Sequence, residues 1–225
     1  MGQGISEVLP FAIGIAISPI PIVAIILILF SSRARVNGPV FLAGWVVGLA
    51  AASAIVYGLS QAANVGGDST SSDTTSWGKI VLGIVLLGAA RRRWAKRPKA
   101  GEAPELPAWM NSVETISPTR AFTLALLLST VNPKNLALLL GAVAGLGQLD
   151  LATDDAVVAL AVFVAVSSLS IVIAVAYDLF GGASARVKLD EMKDWLTVHN
   201  SAVMATLFLV FGVVLISRGI GPLSA

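Results

Sequence analysis

Lys134 is the ionisable side chain set deepest in a long apolar run, and it lies in the stretch Asn132-Pro133-Lys134-Asn135. A charge at the centre of a bilayer costs at least about 2.5–3.5 kcal/mol on insertion scales, so an intramembrane lysine marks function by default. A second proline motif, Ser18-Pro19-Ile20-Pro21, interrupts the apolar run Ile5–Phe30 much as the first interrupts Ala121–Leu146. Each places an N-cap type residue before a proline. Proline fits the first turn of a helix and nowhere deeper, because it lacks the N–H and fixes φ. Each motif therefore reads as one half-helix ending and another beginning inside a span. A helix N-terminus exposes unpaired N–H groups and partial positive charge. Two such ends, one carrying Lys134, point to a site for an anionic group, the arrangement expected of a secondary transporter.

The expected substrate-binding set is Ser18, Pro19, Pro21, Asn132, Pro133, Lys134 and Asn135, with Ser129, Thr130, Ser167 and Ser168 adding polar groups at similar depth. Each has a plainer role open to it. Lys134 could snorkel or bond carbonyls freed by Pro133. Asn132 could only cap its half-helix, and Asn135 could cap or bond across the bundle. The serines could serve close packing and back-bonding to their own helices.

Composition sets the frame for these residues. The chain is 56% hydrophobic and 12% charged, against about 25% charged in a soluble domain. Several runs approach the roughly 20 apolar residues that span a bilayer. This is a polytopic membrane protein. It has no cysteine and one histidine, His199, which leaves no zinc or haem site and no thiol chemistry. A P-loop and an intramembrane acidic cluster are both absent, which argues against ATP hydrolysis by that route and against divalent-cation transport. With no nucleophile–base–orienter set the chain is not expected to be an enzyme, and no cofactor or nucleic-acid partner is expected.

Six spans are expected: about Ile5–Phe30, Pro39–Leu59, Trp77–Trp94, Ala121–Leu146, Ala156–Phe180 and Ser201–Ile220. The third is uninterrupted only from Ile80 to Ala90. Its Lys79 and Arg91-Arg92-Arg93 would snorkel outward, with Trp77 and Trp94 about 26 Å apart at the two interfaces. Basic residues follow spans one (Arg33, Arg35), three (Arg91 to Lys99) and five (Arg186, Lys188, Lys193), while the other loops are acidic. By the positive-inside rule the basic segments are cytoplasmic and both termini lie outside. No basic leader or cleavage site precedes the first run, which reads as an uncleaved span. Gln61–Ser76 reads as a flexible outer loop. Trp109, Met110, Val113 and Ile116 predict a short surface helix, and Val187–Val198 predicts an amphipathic helix lying on the membrane. Gly44/Gly48 and Gly141/Gly145 read as helix packing within the monomer.

The predicted fold is an all-α integral membrane protein whose six helices form two inverted three-helix repeats, with helices one and four broken at the proline motifs. Residues 1–98 form the first repeat, 99–118 a cytoplasmic linker and 119–225 the second repeat. An odd number of spans per half makes the halves enter from opposite sides, and the proline motifs fall at matching places, the pattern of a midplane site.

The stretch from Ser32 to Trp45, the arginine-rich end of span three, the linker Glu105-Leu106-Pro107-Ala108-Trp109-Met110 and the two proline motifs together resemble the GAP family. These are the glycopeptidolipid- and sulfolipid-addressing proteins of actinobacteria, in the LysE transporter superfamily. The similarity runs over nearly the whole chain, and the intramembrane Asn-Pro-Lys-Asn is its most specific part. The resemblance implies six spans, a plasma-membrane location and a role in moving lipids or glycolipids toward the cell surface. The leading expectation is a transporter of an amphipathic, anionic lipid or glycolipid. A small-solute exporter and a non-transporting scaffold of a lipid-export machine are the alternatives. Membrane lipids, the lipid cargo, a larger export complex and a homodimer are the partners compatible with these readings.

Overall fold

The computed structural model describes residues 1–65, 71–97, 113, 115–149 and 151–223. Among them are eight helices: α1 (Gly2–Ala16), α2 (Pro19–Leu29), α3 (Ala34–Val65), α4 (Ser71–Ala95), α5 (Pro118–Thr130), α6 (Pro133–Leu146), α7 (Thr153–Phe180) and α8 (Gly182–Leu223). No strand occurs among the described residues. Three helices, α3, α7 and α8, are long and apolar enough to cross a membrane. The number is five if each bent pair is one span: α1 with α2, bent by 53°, and α5 with α6, bent by 54°. Both bends fall at the predicted proline motifs. Pro19 and Pro133 each occupy the first turn of the second half-helix, where the missing N–H breaks no internal bond.

The second halves of the broken spans are the centre of the bundle. Helix α2 is apolar all round and buried at nine of its 11 positions, as a helix enclosed on every side should be. Around this centre α3 packs along α5, α1 along α7 and α4 along α8. Glycines set how close these pairs come. A Cβ on Gly44 would lie 2.5 Å from the Phe122 carbonyl oxygen, so α3 meets the α5 backbone directly. Gly83 and Gly212 face each other's backbones in the same way across α4 and α8, and Gly219 faces Ser76. The predicted pairs Gly44/Gly48 and Gly141/Gly145 both pack inside the chain: Gly48 on Ser129, Gly141 on Phe11 and Gly145 on Glu7.

Several sequence expectations change. Helix α4 is not among the helices that qualify by length and composition, because polar residues precede its short apolar stretch and three arginines end it. It joins the bundle through its glycine seam with α8. Lys79 does not snorkel. It is 3% exposed, and its Nζ donates to Gln148 Oε1 at 2.5 Å. The expected outer loop is largely helical, since α3 continues to Val65 and α4 starts at Ser71. The amphipathic segment Val187–Val198 is no separate surface helix but the first part of α8. No glycine or proline lies between Gly182 and Gly212 to stop it, and Leu189 and Leu196 are buried. Gly182, at φ 62°, makes the turn from α7 into α8, a conformation glycine adopts without strain. Of the expected surface helix, Trp109 and Met110 lie outside the described residues. Val113 and Ile116 are buried and not helical, and the Ile116 carbonyl accepts from Asn37 Nδ2 at 2.9 Å.

At the end of the bundle opposite the arginine triplet, three polar links join residues 1–98 to residues 119–225. Arg218 pairs with Glu7, Lys79 donates to Gln148, and the N-terminal ammonium pairs with Asp155 at 2.7 Å.

Gly44→Val should force apart the α3–α5 seam and destabilise by about 1–3 kcal/mol, the usual cost of overpacking. Gly88→Ala meets nothing within 4 Å and should be neutral or stabilising, by up to about 1 kcal/mol. Thermal unfolding in detergent micelles compares the two.

Candidate functional site between the two helix breaks

The break after α1 leaves a carbonyl without its helical partner. Ile17 N–H bonds Ile13 O at 3.0 Å, Ser18 N–H turns back to Ile15 O at 3.1 Å, and Pro19 has no N–H to offer. The Gly14 carbonyl, which a continuing helix would pair with Ser18 N–H, is therefore left without a backbone partner. Lys134 Nζ fills it at 2.6 Å and also donates to Ser18 Oγ. The ammonium thus sits at the C-terminal, negative end of α1. It is 2% exposed and has no carboxylate partner among the described residues.

Lys134 reaches that point because of how α6 begins. Asn132 Oδ1 accepts from Lys134 N–H at 3.0 Å and caps the half-helix. Ser18 is not the matching cap. Its side chain caps nothing at α2 and donates instead to Gly14 O at 3.4 Å. The α2 N-terminus is poor in donors, since Pro19 and Pro21 have no N–H and Ile22 N–H bonds Ser18 O.

A cavity of about 100 Å³ lies between the two breaks, lined by Ser18, Ile20, Pro21, Asn132, Pro133 and Lys134 together with Arg93, Met204 and Phe208. It unites the two motifs, which are more than 100 residues apart in sequence. Arg93 is exposed and comes from α4. The sequence places it within the basic run from Arg91 to Lys99, which sets topology and also suits anionic lipid headgroups, and no local signal distinguishes it from Arg91 or Arg92. With Lys134 it makes the cavity cationic, and no acidic residue lines it among the described residues.

The other expected site residues lie elsewhere. Ser129 Oγ and Thr130 Oγ1 both bond Leu126 O, at 2.9 and 2.7 Å. Asn135 Nδ2 ties α6 back to Leu128 O at 3.1 Å. Ser167 Oγ meets Ala12 O at 3.5 Å, and Ser168 Oγ back-bonds to Val164 O at 2.7 Å. None of these five lines the cavity, nor does Pro19.

A family model described as Sap, sulfolipid-1-addressing protein, matches residues 8–221. The chain belongs to this family. No curated protein and no solved structure matches it. The match covers both proline motifs, Arg93 and all the cavity-lining residues, so the site lies within what the family model describes.

Lys134→Ala would leave the Gly14 carbonyl with only the 3.4 Å contact from Ser18 Oγ, a loss of about 1.5–3 kcal/mol, the range for a hydrogen bond to a charged group. Asn132→Ala, which removes the cap, should destabilise by about 1 kcal/mol, and Asn132→Ser should be close to neutral. Thermal midpoints in micelles give the order wild type, Asn132→Ser, Asn132→Ala.

Proposed function

We propose that the protein is a membrane transporter that moves an amphipathic, anionic lipid or glycolipid across the plasma membrane toward the cell surface. The observation that carries this reading is the cavity where both helix breaks meet, lined by Lys134 and Arg93 and, among the described residues, by no carboxylate. The family's lipid-addressing description supplies the cargo class. In this reading the protein is not an enzyme. The cavity's cations hold a headgroup anion while the hydrocarbon stays in the bilayer.

The architecture proposed for it has six spans, with α4 as the sixth, arranged as inverted halves 1–98 and 119–225 joined by a cytoplasmic linker, 99–118. The packing supports this. Exchanging the halves turns the α3–α5 pair into α7–α1, and it maps the α4–α8 and α3–α7 pairs onto themselves. The near-equal bends of 53° and 54° support it too. Both termini lie outside, by the placement of the basic residues. The links Glu7–Arg218, Lys79–Gln148 and Met1–Asp155 then close the outer end, while Arg93 marks the cavity's cytoplasmic side.

The small volume of the cavity favours a second reading, export of a small anionic or zwitterionic solute. Surface lipid separates the two. In cells lacking the protein, wild-type chain should restore the surface lipid. Lys134→Glu and Arg93→Glu, at matched protein levels, should restore less than a tenth, and Lys134→Arg an intermediate amount, because its planar fork needs a different pocket. Normal surface lipid with Lys134→Glu would sink the anion site. Topology is read separately, since the chain has no cysteine. Asp154→Cys should react with an impermeant maleimide in intact cells, and Lys188→Cys only after permeabilisation.

A further inference from the structure

A second cavity, of about 800 Å³, runs between α3 and α7. Its lining extends from Val46 to Gly58 on one wall and from Val157 to Val172 on the other. At 1.5 Å per residue the walls are about 18 and 22 Å long, somewhat more than one leaflet of a hydrocarbon core about 30 Å thick. Alanines such as Ala50, Ala54 and Ala161 make room for it. Its floor is buried at Ser53, Leu160 and Val164, while Val46, Val157 and Val172 on its rims are 36%, 53% and 40% exposed. It is a groove open along one side of two helices that cross the membrane.

Water does not fill so apolar a space, and an empty groove forfeits the contacts of its lining. The groove opens onto lipid, so hydrocarbon is the filling at hand. A second copy is a poor fit. A two-fold interface sets the same patch against itself, and groove against groove leaves a larger void. The floor also carries a polar group. Ser53 Oγ is buried without a hydrogen-bond partner, whereas Ser168 Oγ, also in the lining, is satisfied by its own helix. The Ser53 hydroxyl is closed off from the groove, so the lining offers its occupant chiefly hydrocarbon.

We propose that the α3–α7 groove binds one hydrocarbon chain of the lipid cargo. The assignment to cargo rests on the lipid-transport reading above; the presence of a chain in the groove does not.

The test uses the full chain purified in micelles and a phosphatidylglycerol with a diazirine in one acyl chain. Photolabelled peptides are mapped by mass spectrometry. Label should concentrate at least fivefold on 46–58 and 157–172 over other lipid-facing helix surfaces. Ala54→Trp and Ala161→Phe replace exposed alanines and should fill the groove, cutting that label about tenfold with an unchanged thermal midpoint. A diazirine-bearing alkane should label the same two segments. Even labelling over all lipid-facing helices, or label unaffected by either groove-filling variant, would overturn the site. So would efficient disulfide cross-linking of Ala54→Cys between two copies in membranes. Surface lipid in cells then tests the cargo assignment. A fall with Ala54→Trp supports it, and normal surface lipid despite lost label overturns it. Surface lipid that does not change between cells with and without the wild-type chain, while groove labelling persists, would defeat the transport reading and leave the chain-binding site standing.

Discussion

The structure depends on a buried ammonium from one broken span plugging the carbonyl left open by the other. Breaking a helix within a membrane exposes backbone groups that lipid cannot satisfy. The chain meets that demand across its two halves. The break at Ser18-Pro19 frees the Gly14 carbonyl, and the break at Asn132-Pro133 supplies Lys134 to bond it. Asn132 absorbs the Lys134 N–H, so the same residue is held at its backbone by its own cap and at its tip by the partner break. Lys134 Nζ can donate three bonds; two of them are the contacts to Gly14 O and Ser18 Oγ. Among the described residues the positive charge is offset by the end of a helix dipole and by no carboxylate, which leaves the adjoining cavity electropositive once Arg93 is added.

Everything around this joint is built for close approach. Glycine faces let α3 ride on the α5 backbone and α4 on α8. Such small-residue contacts are what hold helices together where no hydrophobic force separates protein from lipid. Gly145 opens a notch for Glu7, which pairs with Arg218. The polar links at that end and the cationic cavity thus lie on opposite sides of the same α1–α6 contact.

Much of this was legible in the sequence. Proline after Ser18 and Asn132 marked both breaks, because proline's missing N–H acts locally wherever it falls. The apolar runs marked α3, α7 and the two bent spans for the same local reason. The family resemblance drawn from the motifs and the linker agrees with the family match over residues 8–221. What failed depended on partners distant in sequence. Lys79 reads as a snorkelling lysine until Gln148 is brought beside it. Ser18 reads as a cap until Lys134 arrives from 116 residues away. Arg93 is one of three identical neighbours, and only the rotation of α4 against α8 sets it on the cavity. The amphipathic stretch before span six had the right faces, but nothing in its pattern told a separate surface helix from the start of a long one.

The central claim is that Lys134 couples the two breaks, and a double-mutant cycle between Ser18→Ala and Lys134→Met measures that coupling directly. Stabilities of the four proteins in micelles give the interaction energy. The account predicts that the two losses are non-additive by about 1 kcal/mol or more, as expected of residues sharing one buried hydrogen-bond network. Losses that add to within about 0.5 kcal/mol, the behaviour of independent sites, would contradict it.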